Sequence, residues 1–156
     1  MGGYDMKEKL FDTAFETSLR LTLLFDELID DVSADYIQVI DFMSLYSKSF
    51  SIGNANINGE NPFMFSEYAA RRETIQLALK ELVLKGYVKP IATNEGFFYC
   101  NTFKGHQFAQ TLRNSFAEKY RLAIKATLSS VEGINEKDLI AQLNQKSKQE
   151  VERLTR

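Results

Sequence analysis

The stretch SEYAARRETIQLALKELVLKGYVKPIATNEGFFYCN, residues 66–101, joins one helical pattern to two strand patterns. Ser66 is of a residue type that caps helix starts, and apolar residues recur after it at helical spacing. Gly86 then stands where a helix commonly ends in a left-handed residue. A Thr-Asn-Glu-Gly turn separates two segments of strand-like composition. The stretch therefore predicts a helix over residues 66–85 and a hairpin of strands over residues 87–92 and 97–101.

Two helical patterns precede this stretch. The first covers residues 10–30, where a short break over residues 30–32 ends it. The second begins at Ser33, a good N-cap residue, and ends near Ser47. Asp35 lies in its first turn, where the helix dipole favours an acid.

Residues 49–65 are rich in Asn and Gly, which predicts a loop. A loop of this length in a compact domain is usually functional or mobile. Its end, Phe63-Met64-Phe65, is too apolar to be left in water. We therefore expect these three residues to be tied down.

A long helix is predicted after the hairpin. It begins at Thr102 and ends near Ser129, and Gly133 breaks the helical pattern. A last helix starts at about Asn135, and its polar end, residues 145–156, is expected to fray or to bind a partner. The buried face of the long helix is predicted to consist of Phe108, Ala109, Leu112, Phe116, Ala123 and Ala126.

This order of three helices, a hairpin and a long helix is typical of a winged-helix domain. The predicted fold is mainly α with a small β-hairpin: a winged-helix, helix-turn-helix-like domain over residues 1–133, including the long helix, and a short C-terminal helix and tail over residues 134–156. Pro90 lacks the N–H that the interior of a sheet requires, so its strand is expected at an edge. The third helix would take the place of a DNA-recognition helix, and the hairpin that of the wing.

The composition is that of one globular domain, with 156 residues of which 44% are hydrophobic. A single cysteine excludes an internal disulfide, and the start MGGYDMKEKLFD lacks the apolar region of a signal peptide. We therefore expect a cytoplasmic location. The net charge of −2 is unevenly distributed, because residues 1–65 carry 4 Lys/Arg against 11 Asp/Glu and residues 66–121 carry 9 against 5. These parts could pair within the fold or face different partners.

Residues that carry enzyme chemistry are scarce. His106 and Cys100 are the single histidine and cysteine, so a Cys/His zinc site is nearly excluded. The sequence contains neither a Walker-type phosphate loop nor a GxGxxG motif after a strand. We interpret His106 as a surface or partly buried helical residue and Cys100 as a small core residue. The sequence thus predicts a protein that is not an enzyme and that binds no cofactor and no metal.

The outward face of the predicted third helix is small, apolar and mixed in charge. It carries Ala70, Leu77 and Leu84, whereas a helix that reads DNA exposes Arg, Asn, Gln or Ser. We therefore predict that this face contacts protein. On a helical wheel, the opposite face, which is predicted to be the core side, carries Tyr68, Ile75, Leu79, Leu82 and Val83.

Arg71 and Arg72 fall on the two flanks of the core side. Three interpretations stay open for them: ion pairs with acids of the same chain, which we favour, contact with another subunit, or contact with phosphate. Pro62 and Phe63, at the end of the loop, are further candidates for protein interaction.

Several short pieces of the sequence resemble the middle component of bacterial ABC-three-component systems. The longest is NPFMFSEYAARRETI, residues 61–75, and residues 85–88 follow it with KGYV. The resemblance covers roughly residues 15–130. The other pieces are SLRL at 18–21, IDF at 40–42, LYS at 45–47, GFFY at 96–99 and TFKG at 102–105.

The resemblance implies a three-part assembly in which a small non-catalytic protein links an SMC-like or ABC-type ATPase to an effector, often a nuclease. The small subunit of the Lamassu defence systems against phages and plasmids is similar to this chain. Any contact with DNA would then be made through the complex, and no catalytic residues are carried over. The alternative is a homodimeric winged-helix transcription regulator, whose binding to duplex DNA would weaken as salt rises.

Overall fold

The computed structural model describes residues 14–155, and it is mainly helical with one small antiparallel sheet. This confirms the predicted fold class. The predicted helix start at Leu10 and the predicted lack of a signal peptide lie outside the described residues. The helices are α1 (Ala14–Glu27), α2 (Ala34–Leu45), α3 (Met64–Ala70), α4 (Arg72–Leu84), α5 (Phe103–Thr111), α6 (Ser115–Ser130) and α7 (Glu136–Leu154), and the strands are β1 (Val32–Ser33), β2 (Val88–Thr93) and β3 (Gly96–Asn101).

The sheet has the strand order β1-β3-β2, with all neighbours antiparallel. Pro90 lies opposite Tyr99 on the edge strand β2, as its missing N–H predicts. Strand β1 was not predicted, because two residues are too few to show an alternating pattern. It forms within the predicted break, where Val32 pairs with Tyr99. The winged-helix interpretation stays a prediction.

The predicted third helix is two helices, α3 and α4, that meet at Arg71. Ser66 lies inside α3 and is not its cap. The helix starts earlier because Asn61 holds its first turn: the Asn61 side-chain oxygen accepts the Phe63 N–H at 2.9 Å, and the Asn61 carbonyl accepts the Met64 N–H at 3.2 Å. The sequence pattern was ambiguous because the apolar spacing continues across the junction.

Helix α4 ends as predicted. Gly86 has a φ of 76°, a conformation that glycine adopts without steric cost. The Tyr87 N–H donates to the Leu82 carbonyl at 2.9 Å, and the Gly86 N–H donates to the Val83 carbonyl at 3.0 Å. These two bonds satisfy carbonyl groups that a helix end otherwise leaves without partners. The chain is thereby turned directly into β2.

The predicted long helix is also broken, between α5 and α6. The Asn114 side chain caps α6 by accepting the Ala117 N–H at 2.8 Å. The buried Arg121 guanidinium donates to the carbonyls of Ala109 and Leu112, at the end of α5. The prediction of one continuous helix was wrong, because the apolar spacing does not show that these two polar groups stabilise a tight corner between α5 and α6.

The corner rotates the buried face of α6 away from the prediction. Tyr120 and Ile124 are fully buried, whereas Phe116 is 42% exposed and Ala126 is also exposed. Ala109, on α5, is buried as predicted. The residues at which α6 turns into the core are Ala117, Tyr120, Arg121, Ile124 and Thr127.

Helix α7 closes the core from the C-terminal side. It starts where predicted, with Asn135 as its cap, and Leu139 and Leu143 belong to the same core cluster as the residues of α1 and α2. The polar end does not fray at residue 145: the helix continues to Leu154, and Ser147 is buried. The division of the chain after residue 133 stays a prediction. Within the part of the chain that is described, no helix is both long and apolar enough to cross a bilayer.

The predicted loop between α2 and α3 is held at its end by aromatic packing. Met64 and Phe65 are buried as expected, but Phe63 is 59% exposed, which contradicts the expectation for that residue. The rings of Phe50 and Phe65 have their centroids 6.1 Å apart. The Lys146 ammonium of α7 lies 5.3 Å from the Phe50 centroid and 5.8 Å from that of Phe65. Lys146 of the C-terminal helix therefore contacts both Phe50 in the loop and Phe65 at its end.

Gly105 allows the first turn of α5 to lie against the end of α4. A Cβ atom there would come closer than 3.0 Å to the Tyr87 carbonyl oxygen and to the Asn101 side chain. We expect Gly105→Ala to lower the free energy of unfolding by about 1–3 kcal/mol, because this overlap outweighs the better helix propensity of alanine. The matched change Gln107→Ala, at an exposed site on the same helix, should alter it by less than about 0.5 kcal/mol. Urea unfolding of both variants tests this, and a Gly105→Ala protein as stable as the parent would contradict it.

Candidate protein-interaction surface

A buried polar cluster joins α1, α2 and α6. The Arg20 guanidinium binds the Asp41 carboxylate with two hydrogen bonds, Nε to Oδ1 at 2.9 Å and Nη2 to Oδ2 at 3.1 Å. The Tyr120 hydroxyl donates to the same Oδ1 atom. The side chains of Arg20 and Asp41 are only 6% and 4% exposed, and Tyr120 is fully buried. This geometry encloses the charges almost completely.

The cluster also shifts the pKa of its phenol. Burial raises the pKa of Tyr120 well above its usual value, and the Asp41 carboxylate raises it further. The nearby Arg20 opposes the shift but is the weaker influence. Tyr120 is therefore neutral at physiological pH and acts as a donor, which is a structural role.

A second polar cluster fixes the end of the loop against α3. Glu67 accepts hydrogen bonds from the Tyr46 hydroxyl at 2.9 Å and from the Asn61 amide at 2.8 Å. Glu67 also forms an ion pair with Arg71. Arg71 thus has its partner one turn away on the same surface, and its side chain is 17% exposed. Arg71 therefore helps to hold the end of the loop through its ion pair with Glu67.

Arg72 lies in a different environment. Its guanidinium is 3.4 Å from the Asp35 carboxylate, and the two side chains are 62% and 45% exposed. Both arginines therefore have acidic partners within the chain, which is the interpretation that the sequence favoured. An exposed pair of this kind contributes little to stability, so Arg72 could exchange Asp35 for a group of another molecule at low cost.

The three residues of the predicted outward face are exposed. Leu77 is 51% exposed and Leu84 is 75% exposed on α4, and Ala70, at the end of α3, is exposed as well. The predicted core side of this region, in contrast, is buried at Tyr68 and Leu79. The other candidates, Pro62 and Phe63, are also exposed at the end of the loop. The contact that these residues make with a partner stays a prediction.

The residues singled out for chemistry have ordinary environments. The exposed His106 side chain lies 2.5 Å from the Asp26 carboxylate at the end of α1. Cys100 is half-buried on β3, and burial, followed by Asp31, raises the pKa of its thiol, so the reactive thiolate is disfavoured. Among residues 14–155, no group of three His, Cys, Asp or Glu side chains could hold a metal ion.

The Arg20–Asp41–Tyr120 cluster and the corner at Asn114 were not predicted from the sequence. The signal for the first lay in the short pieces that carried the family resemblance, since SLRL contains Arg20 and IDF contains Asp41. A charged residue inside an apolar helical run is buried only with a partner, so the two could have been matched.

A comparison with protein families agrees with that resemblance. A family model described as ABC-three component (ABC-3C) system Middle Component 2 matches residues 10–153. No curated protein and no solved structure matches the chain. The match spans all of the elements described above except the last residue of α7.

We expect Asp41→Asn to lower the free energy of unfolding by about 3 kcal/mol or more, because it leaves the Arg20 charge buried without its counter-ion. Asp35→Asn is the matched control, since it makes the same change in the exposed pair with Arg72 and should cost less than about 1 kcal/mol. Chemical denaturation of both variants measures the difference. Equal losses would show that burial of the Arg20–Asp41 pair is unimportant.

Tyr120 should make the protein sensitive to alkali. Unfolded Tyr120 loses its proton near pH 10, whereas folded Tyr120 keeps it, so unfolding releases a proton and stability falls as the pH rises above about 10. The slope is at most about 1.4 kcal/mol per pH unit for one tyrosine. Tyr68, whose pKa is raised to about 12, adds to it.

Tyr120→Phe should lower the free energy of unfolding by about 1.5–3 kcal/mol at pH 7, because a hydrogen bond to a carboxylate is removed. It should also show a shallower loss of stability between pH 9.5 and 11 than the parent protein. Urea unfolding at a series of pH values separates the two effects. If the free energy of unfolding fell equally steeply with pH in parent and variant, the raised pKa of folded Tyr120 would be refuted.

Proposed function

Because the chain belongs to the Middle Component 2 family of ABC-three component systems, we propose that it is a non-catalytic subunit that bridges and regulates two other proteins of such an assembly. One partner is an SMC-like or ABC-type ATPase, and the other is an effector with nuclease activity. The assembly works in the cytoplasm as a bacterial defence against phages and plasmids. The resemblance to the small subunit of Lamassu systems supports this assignment.

The observation that carries the proposal is the second apolar stripe on α4. One side of this helix packs in the core through Ile75, Leu79 and Leu82, while Leu77 and Leu84 remain exposed on the other. Exposed apolar residues that are aligned along one rigid element are typical of protein–protein contact. The two hydrogen bonds at Gly86 fix the end of this helix, so a partner would meet a preformed surface.

The use of polar groups supports a non-catalytic role. The buried cluster of Arg20, Asp41 and Tyr120 joins three helices in the interior. The ion pair of Glu67 and Arg71 helps to hold the end of the loop. A bridging subunit needs a stable shape with two separate contact surfaces, and these clusters provide the stability.

The proposal is tested by expressing the tagged chain from its native operon and weighing what co-purifies by native mass spectrometry, with and without nuclease. A nuclease-resistant complex with a large ATPase and a second protein is expected. Leu77→Asp should reduce the amount of one retained partner by about tenfold, because it places a charge in the apolar contact. Gln76→Asp, at the neighbouring exposed position of α4, is the matched control and should have no such effect.

Two results would contradict the proposal. If the chain is purified as a homodimer that carries nucleic acid and no other protein, the transcription regulator would be favoured. Turnover of a nucleotide by the isolated chain would show that the subunit is catalytic.

A further inference from the structure

An apolar groove runs between α6 and the loop that connects α2 to α3. The open groove has a volume of about 820 Å³, and Phe116, Leu122 and Ala126 line it on α6. Its loop side includes the polar residues Asn54 and Asn56. Leu122 is 69% exposed and Phe116 is 42% exposed. A smaller hollow of about 240 Å³ continues the groove past Phe116 towards Leu19 on α1. This surface lies on α6 and is formed by none of the α4 residues assigned above.

The loop wall of the groove is held by its own hydrogen bonds. The Ile57 N–H donates to the Leu45 carbonyl at 3.0 Å, and the Ser47 hydroxyl donates to the Ala55 carbonyl at 3.2 Å. The N–H groups of Ile52 and Gly53 both donate to the Ser47 carbonyl, at 2.8 and 3.2 Å. Both walls are therefore formed in the free chain, and an occupant would not have to order them.

Helix α6 is apolar on two sides. Tyr120 and Ile124 bury one side in the core, while Phe116, Leu122 and Ala126 line the groove. The eleven residues from Phe116 to Ala126 are separated by ten steps of about 1.5 Å each, so they span about 15 Å. A helix of about three turns matches this length and would cover the exposed apolar surface.

One unmatched charge lies inside the groove. Lys119 lines it and has no ion-pair partner among residues 14–155. Its neighbours on α6 are paired: Lys125 lies 3.9 Å from Glu27, and Arg121 lies 3.0 Å from Glu118. Lys119 is exposed in the free chain, and a partner that covers it would have to supply a carboxylate or leave its charge unpaired in the contact.

We propose that the groove between α6 and the loop is a second docking site, which takes an amphipathic helix of about three turns from another protein of the assembly, with an acidic side chain that pairs with Lys119. This inference deepens the proposed function and rests on it, because the occupant belongs to a partner subunit. It also gives a role to the loop: the loop forms one wall of the site.

Two other occupants fit the surface less well. Nucleic acid would require several cations along the groove, whereas Lys119 is the one cation among the described residues that line it. A second copy of this chain would have to offer a free acid on its own α6. The acid there, Glu118, is already paired with Arg121 and lies 3.9 Å from Arg113.

The first test places the photo-crosslinking residue p-benzoylphenylalanine at position 122 in the chain expressed from its native operon. Irradiation of the purified complex, followed by peptide mass spectrometry, should identify a helical segment of another subunit that has an apolar face and a nearby acid. The same residue at position 125, which is exposed on α6 outside the groove, is the matched control and should give little crosslink. Crosslinking to a second copy of the chain, or to nucleic acid, would overturn the proposal.

The second test reverses charge in the same complex. Lys119→Glu should weaken retention of the crosslinked subunit about tenfold, and a Glu→Lys change at the crosslinked site should restore it. Lys125→Glu is the matched control and should leave retention unchanged. Equal effects of the two changes would overturn the docking site.

The two proposals fail in different ways. An intact parent complex that gives no crosslink at position 122 overturns the groove and leaves the bridging function in place. A parent chain that retains no partner at all overturns the bridging function, and the groove assignment falls with it.

Discussion

The structure depends on one buried carboxylate. Asp41 of α2 accepts two hydrogen bonds from Arg20 of α1 and one from Tyr120 of α6, so three helices meet at a single group. Burying these charges is costly, and the cost is offset only while every partner is in place. The cluster therefore selects one arrangement of the three helices, because any other packing would leave a charge without its partner.

A fixed arrangement of this kind explains how a chain of this size can leave apolar residues on its surface. Helices α4 and α6 each have a buried side and an exposed apolar side, represented by Leu77 and Leu122. Without a specified core, such helices could turn their outer sides inward. The polar clusters, together with the fixed corner at Asn114 between α5 and α6, oppose that rearrangement. The contact surfaces are thereby kept available to partners.

The sequence was a good guide where structure is decided locally. The cap at Ser33, the helix start at Thr102 and the helix end at Gly86 depend on residues within one turn, and all three were predicted. The corner at Asn114 depends also on Arg121, so the periodic pattern concealed it. Strand β1 exists only because β3 lies beside it. For the candidate surface, the exposure of Leu77 and Leu84 was predicted, but the groove on α6 was not, since Phe116 and Ala126 had been assigned to the core.

The contact between the loop and α7 has a consequence for how the protein is made. Tyr68 binds Asn144, and Phe65 packs beneath Lys146 and accepts a hydrogen bond from Ser147, across separations of 76 to 82 residues. Nascent chains emerge from the ribosome in order, so Phe65 and Tyr68 lack this cover until α7 has been synthesised. The packing of these aromatic residues must therefore follow the synthesis of α7. In the interval the aromatic side chains are open to chaperones or to a partner subunit that is being made beside them.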